Sequence, residues 1–466
     1  MSDLGSMANP LRVAVVGSGP AGFYAAEALL GSGQTVFVDM FERLAAPFGL
    51  VRSGVAPDHP KLKQAIQVYQ QIALSPAFRF FGNVTVGRDI AVAELQSCYH
   101  AVLFACGAQT DRSLGVPGEH LPGSHAATEF VGWYNGHPDY QDIAFDLSHD
   151  TAMVIGQGNV AMDVCRILAK TADELRHTDI AAHALEVLAE SKVREIYLVG
   201  RRGPAQVKFT HPELRELGDL ADCDPVIDPR DLELNPASQL ELADRANRAA
   251  LKSYEVLRAF AARPAAARHR RCHIVFQKSP LELIGDGKLQ RVLLMRNRLT
   301  GGPGHQAAEP TGEIEQVNCG LLFRSIGYCG VAIPGMPFDA RRGVIPNRDG
   351  RVADGGTVVP GAYVSGWIKR GPSGIIGTNR EDSVSTVNAL LADLPSLDAA
   401  PKPGADHVIT LLLHRGIRAV GYADWQRIDA AEQRRGQAAG KPREKFTRLQ
   451  EMLDVASNRE DEGDNQ

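Results

Sequence analysis

The sequence holds seven cysteines among 466 residues, at positions 98, 106, 165, 223, 272, 319 and 329, and no two are spaced as CxxC. That counts against the dithiol chemistry of disulfide reductases and the cysteine-rich segments of iron–sulfur subunits, and it reads as reduced thiols in a cytoplasmic setting. No apolar run approaches the roughly 20 residues of a membrane-spanning helix. The opening MSDLGSMANP has neither the basic start nor the apolar centre of a secretory signal and predicts a disordered lead-in. Positive charge is not in excess: 50 Lys and Arg against 55 Asp and Glu leave a net charge of −5, which excludes a broadly basic nucleic-acid-binding surface. Nothing in the sequence requires more than a monomer.

What is abundant is glycine, 46 residues, and two of its clusters sit between an apolar run and a helical pattern. Arg12–Val16 reads as a strand, Gly17-Ser18-Gly19-Pro20-Ala21-Gly22 as a turn, Phe23–Leu30 as a helix and Thr35–Glu42 as a second strand, a βαβ unit. The three glycines serve different ends. Gly17 turns the chain out of the strand, Gly19 lets backbone approach a pyrophosphate, and Gly22 lets helix pack on strand. The pyrophosphate then lies on the helix N-terminus, where free N–H groups and the dipole favour negative charge. Glu42, 25 residues past Gly17, ends the second strand where a carboxylate holds ribose hydroxyls; Asp39 lies inside the strand and is the poorer choice.

The second cluster follows the strand Thr151–Ile155 and reads Gly156-Gln157-Gly158-Asn159-Val160-Ala161, then a helix over Met162–Lys170. A polar helix over Thr171–Ser191 precedes the strand Val193–Val199, which ends in Arg201-Arg202 instead of a carboxylate. Guanidinium groups bind a 2′-phosphate through forked hydrogen bonds, whereas a carboxylate repels it, so this unit points to NADP(H). Arg201 is 45 residues past Gly156, far beyond the usual ~20, and the polar insert accounts for the excess. A solvated arginine pair at a strand end is the alternative. Alternating strands and helices predict an α/β fold with parallel sheets.

Two nucleotide units in one chain imply hydride transfer between two cofactors. Taken together, GSGPAG, PFGLVRSGVAPDHPKLK (47–63), GQGNVAMDVCRIL (156–168), VGRRGPAQVKFTHPELREL (199–217), GWIKRGPSGIIGTN (366–379) and the tail Gly440-Lys441-Pro442-Arg443 resemble the adrenodoxin-reductase-like ferredoxin–NADP reductases, bacterial members above all. The likeness runs from about residue 11 to about 450. It implies two Rossmann-like domains, an NADP domain (108–331) inserted into a discontinuous FAD domain (8–107 and 332–466). It places FAD on Gly17, Gly19, Ala21, Gly22, Glu42, Leu50, Val86, Trp367, Gly374, Ile375 and Ile376. It places NADP on Gln157, Gly158, Asn159, Val160, Arg201, Arg202, Glu213 and Gly374. His59 and Glu213 match positions near the reacting rings. Taken without the resemblance, His59 in PDHP is a rigid-turn residue, Glu213 a solvated helix-start glutamate and Trp367 a core tryptophan. Cys106 departs from the Ala-Thr-Gly turn of many flavoproteins.

The implied reaction takes hydride from NADPH to FAD and then single electrons to a ferredoxin. The stretch 244–271 reads as helical, and an acidic ferredoxin suits its part 245–271, where Arg245, Arg248, Lys252, Arg258, Arg263, Arg268, Arg270 and Arg271 face one acid, Glu255. A solvated helix face is the alternative. A block of glycines at 366–378 precedes a helix over Ser383–Leu391, and Asn458–Gln466 reads as a disordered acidic tail. A catalytically silent FAD-binding protein is the rival from another class.

Overall fold

The computed structural model describes residues 3–264, 268–374 and 376–457. It divides into two units, Met1–Thr110 with Tyr328–Gln466, and Asp111–Gly327. Among the described residues no helix is long and apolar enough to cross a membrane.

In the first unit five strands run parallel, in the order Thr357–Val364, Ala101–Phe104, Leu11–Val16, Val36–Phe41 and Phe78–Phe81. Two short antiparallel strands, Asn347–Arg348 and Arg351–Asp354, extend one edge. The strand Leu11–Val16 is central and almost wholly apolar, as a parallel strand covered on both faces must be. Its side chains alternate: Val13 and Val15 join a core with Phe23, Phe48 and Trp425, while Ala14 and Val16 join a second core with Phe41, Phe104 and Ile368. The chain proceeds from this strand to a neighbour on one side and later fills the other side. That reversal leaves a crevice at the strand's carboxyl end, where the first glycine turn lies.

The second unit holds a six-stranded all-parallel sheet in the order Ser124–Ala126, Leu321–Arg324, Thr151–Ile155, Glu195–Val199, Arg270–Val275 and Cys223–Val226. A three-stranded antiparallel sheet, Lys278–Ile284, Arg291–Thr300 and Ala307–Asn318, accompanies it.

Several expectations need correction. The helices after both glycine turns begin earlier than their apolar periodicity does, at Pro20 and Asn159, because the turn itself delivers the chain into helical geometry. The segment 171–191 is two short helices, Ala172–Leu175 and Ala182–Ala189, not one long one. Between them the Thr178 hydroxyl donates to Leu175 O (2.7 Å) and accepts from Ile180 N (3.3 Å), the competition with helix that threonine offers. The stretch 244–271 is helical only over Arg245–Asn247 (a 3₁₀ turn) and Arg248–Ala261; Arg270 already belongs to a strand, and 265–267 lie outside the described residues. The helix expected at Ser383 starts at Ile376, seated by Ser383 Oγ donating to Ala21 O at 2.9 Å. The lead-in is ordered from residue 3: Leu4 is buried, Thr35 N donates to Gly5 O, and Asn9 Nδ2 donates to Ala399 O. The tail 458–466 lies outside the described residues.

Candidate functional site

Gly17 has φ +107°, and a Cβ there would stand 2.5 Å from Ala105 O, so both its dihedral and its surroundings exclude a side chain. Gly22 lies in the first helix turn, and its Cβ would meet Gly17 O at 2.0 Å. Gly19 is different: among the described residues nothing lies within 4 Å of where its Cβ would be. The middle glycine therefore borders open space rather than protein. Gly19 is also the N-cap of Pro20–Leu30 with no side chain bonded to the helix N–H groups, which leaves them to an anion.

Glu42 follows the strand Val36–Phe41 directly and folds back onto this turn. Its Oε2 accepts from Ser18 N (3.2 Å) and Ser18 Oγ (2.7 Å), and its Oε1 accepts from Leu44 N (3.1 Å). Asp39 is engaged elsewhere. It is buried, it accepts from the Tyr99 hydroxyl at 2.8 Å, and burial pushes its carboxyl up to about 6.

Leu50 opens the short helix Leu50–Ser53. The two residues before it are unusual. Gly49 (φ +49°) lies so close to the glycine turn that its Cβ would be 2.9 Å from Gly19 Cα, and Phe48 is a buried non-glycine residue at φ +83°. Phe48 N donates to Ser18 O at 3.0 Å, tying this second turn to the first. A left-handed aromatic residue beside a candidate ligand site is the kind of strain that packing must enforce. Sequence reasoning missed it, since phenylalanine carries no signal for positive φ.

Val86 is half-buried and bridges to Ile90. Trp367 is half-buried, packs at 5.4 Å from the Tyr328 ring and donates from Nε1 to Ser373 O at 3.2 Å. Arg370 also donates to Ser373 O, and its Nη2 reaches Asn379 Oδ1 at 2.8 Å. Asp382 accepts from Gly366 N (2.6 Å) and Lys369 Nζ (2.7 Å), so the 366–374 loop is stitched to the helix it precedes. Gly374 has φ +83°, and Ile376 begins that helix; Ile375 lies outside the described residues. His59 caps the four-residue helix Pro60–Lys63. Cys106 is half-buried beside Gly17, and burial pushes its thiol up to about 12.

The second unit repeats the glycine logic. Gly156 (φ +128°) would place a Cβ 2.1 Å from Ser325 O, whereas Gly158, the N-cap of Asn159–Ala169, borders nothing within 4 Å among the described residues. Ala161, in the third position, is fully buried. Gln157 turns its amide inward, donating from Nε2 to Val275 O at 3.0 Å, so only its backbone faces the turn. Its carbonyl accepts from Lys208 N and Phe209 N, and Asn159 Oδ1 accepts from Thr210 N at 2.9 Å. Val160 is half-buried on the core behind them.

Arg201 is exposed and Arg202 half-buried, and neither guanidinium has a hydrogen-bond or ion-pair partner among the described residues. Their backbone is held: Asn297 Nδ2 donates to Arg201 O at 3.1 Å and Gln277 N to Arg202 O at 3.0 Å. Two guanidinium groups that no hydrogen bond or close ion pair holds, on a fixed backbone, are suited to a phosphate, although the Arg202 charge also acts on Glu241. Glu213, in the first turn of His211–Gly218, is not simply solvated: it pairs at 3.3 Å with Arg166, which is 2% exposed and also bonds Asp163 at 2.7 Å. Both glycine turns thus fit dinucleotide phosphates on this chain's own geometry.

The basic stretch needs revision. Arg263 donates to Gly218 O and lies over the Phe260 ring, Arg268 bonds Leu220 O and Cys223 O, Arg270 pairs with Asp222, and Arg271 with Glu195. Those four guanidinium groups are engaged within the protein, although only Arg270 is buried. Arg245, Arg248, Lys252 and Arg258 are exposed and have no ion pair among the described residues.

The sequence profile of the pyridine nucleotide-disulphide oxidoreductase family matches residues 11–199. The chain is 46% identical over 458 residues to the NADPH-ferredoxin reductase FprA of Mycobacterium tuberculosis, covering 96% of this chain and 99% of that one. It is 47% identical to the mitochondrial NADPH:adrenodoxin oxidoreductase of Homo sapiens, covering 95% of this chain and 91% of that one. The solved structure of Mycobacterium tuberculosis FprA in complex with NADPH superposes with a TM-score of 0.90 at 45% identity, over 96% of this chain and 99% of that chain.

Proposed function

Because the chain belongs to the family of NADPH-ferredoxin and NADPH:adrenodoxin reductases, we infer that it is an FAD-dependent NADPH:ferredoxin oxidoreductase. The observation that carries this reading within the molecule is the pair of glycine turns whose middle residues, Gly19 and Gly158, border open space, the second followed by two unpaired arginines. NADPH supplies a hydride, and FAD, which accepts two electrons together and releases them one at a time, matches that donor to a one-electron iron–sulfur acceptor.

The residues' part is binding and orientation. In the first unit, Gly17, Gly19, Ala21 and Gly22 seat the FAD pyrophosphate on the helix N-terminus, and Glu42 takes a ribose hydroxyl. Leu50, Val86, Trp367, Gly374, Ile375 and Ile376 hold the ring system, with N–H groups near Gly374 favouring negative charge on it. In the second unit the backbone of Gln157, Gly158, Asn159 and Val160 takes the NADP phosphates, and Arg201 with Arg202 takes the 2′-phosphate. His59 and Glu213 orient the reacting rings; Glu213 does so from its pairing with the buried Arg166. The setting we assign is the cytoplasm, in keeping with seven free cysteines.

We assign the acidic ferredoxin to the exposed cations Arg245, Arg248 and Lys252. Arg248 and Lys252 are one helical turn apart, and exposed Leu251 (37%), three residues past Arg248 on the same helix, offers apolar contact beside them. Reversing charge at Arg245 and Arg248 is expected to raise the KM for ferredoxin, more so at low salt, and to leave dye reduction by NADPH unchanged. Equal losses in both assays would remove the docking assignment. For the activity itself, anaerobic stopped-flow mixing with NADPH should bleach the yellow protein, and cytochrome c should be reduced only when ferredoxin is added. A yellow protein that NADPH fails to bleach would instead be a silent flavin binder.

A further inference from the structure

The short helix Leu50–Ser53 carries a charge into the core. Arg52 makes a forked pair with Glu432, Nη1 to Oε2 at 2.9 Å and Nη2 to Oε1 at 2.5 Å, and Glu432 is fully buried, 380 residues away in the chain. Glu432 also accepts from Arg443 Nη1 at 2.8 Å and from Phe446 N at 3.0 Å, so its carboxylate is fully occupied. Burial of a carboxylate is costly unless it is paired and hydrogen-bonded, and here two guanidinium groups hold it below its usual range despite burial. The same helix, Tyr422–Ala438, supplies Trp425, which meets the Phe48 ring edge-on at 5.8 Å and lies under the Arg52 guanidinium at 5.0 Å. One C-terminal helix thus grips both ends of the segment 48–52. Between those grips sit left-handed Phe48, bonded to Ser18 O, and Gly49, lying against Gly19.

We propose that Arg52 and Glu432 are positioning residues for the FAD turn: their buried pair enforces the strained Phe48-Gly49 turn that holds Leu50 and Gly19 in register for the dinucleotide. This rests on the FAD reading of the first glycine turn. Arg443 supplies an internal comparison. It pairs with the same carboxylate, and with Asp429 at 2.6 Å, but it belongs to the tail motif Gly440-Lys441-Pro442-Arg443 and does not sit on the turn. Removing either arginine damages the same buried cluster, but only the loss of Arg52 unfastens the turn.

The test uses the purified flavoprotein and its Arg52→Met, Arg52→Lys, Glu432→Gln and Arg443→Met variants. FAD retention is read by ultrafiltration and visible absorbance, NADPH affinity by titration, and thermal unfolding in parallel. Arg52→Met and Glu432→Gln should raise the FAD Kd at least tenfold, with Arg52→Lys in between because it keeps the charge and loses the fork. Arg443→Met should lower the unfolding temperature comparably yet change FAD affinity less than threefold, and NADPH affinity should not move in any variant. If Glu432→Gln fails to fold, the Arg52→Met and Arg443→Met pair decides. Equal FAD losses in those two, or wild-type retention in Arg52→Met, overturn the proposal. Wild-type protein that binds no FAD overturns the cofactor reading itself, and this inference with it.

Discussion

Gly19 and Gly22 are three residues apart in one motif, and the structure gives them opposite reasons for being glycine. Gly19 has φ −77° and ψ −174°, a conformation open to alanine, and its Cβ would meet nothing within 4 Å among the described residues. Gly19→Ala should therefore leave the FAD-free protein as stable as before, or more stable by about 0.4–1 kcal/mol, since alanine lowers the entropy of the unfolded chain. The added methyl instead occupies the space that phosphate oxygens must enter. Displacing one or two charge-assisted N–H bonds at roughly 1.5–3 kcal/mol each lowers FAD affinity on the order of 10- to 10,000-fold. Gly22→Ala puts a methyl 2.0 Å from Gly17 O, a backbone atom that cannot swing aside, so overpacking costs about 3 kcal/mol of stability, bound or free. Urea unfolding of FAD-free protein, paired with FAD content after purification, separates the two. If Gly19→Ala destabilises the FAD-free protein as much as Gly22→Ala, or retains FAD normally, the middle glycine does not mark the phosphate path.

Arg201 and Arg202 have free side chains on a backbone pinned by Asn297 and Gln277. Replacing both with alanine should cost NADPH binding about 2–4 kcal/mol, leave NADH binding unchanged, and shift stability by no more than about 0.5 kcal/mol. An unaltered NADPH/NADH preference would remove the 2′-phosphate assignment. Asp39 predicts a pH effect. Its carboxyl rises from 3.8 to about 6 on burial, so the native state holds a proton that the unfolded chain releases earlier. Its contribution to stability is present below about pH 4 and lost as pH rises through about 6, a span worth at most about 3 kcal/mol. Asp39→Asn should accordingly stabilise the protein at pH 8 and have no such effect at pH 4; a difference independent of pH would contradict the burial argument.

The parts of this protein legible in the sequence were those set by neighbouring residues. A strand, a glycine turn and a helix N-terminus lie within about 30 residues, and positive φ at Gly17 and Gly156 is what glycine allows, so both strand–turn–helix units could be read directly. Patterns also located Glu42 and the arginine pair, since each lies at a strand end. Where side-chain competition or tertiary contact intervened, pattern reading failed: Thr178 broke the helix expected over 171–191, and Leu4 found a place in the core. Half of the basic stretch at 245–271 proved to be engaged with the protein itself, because charge counting cannot see Gly218 O, Asp222 or Glu195 across the fold. The left-handed Phe48 and the pairing of Arg52 with Glu432 belong wholly to tertiary structure. Phenylalanine does not choose positive φ, and an ion pair spanning 380 residues leaves no local trace; only packing sustains both.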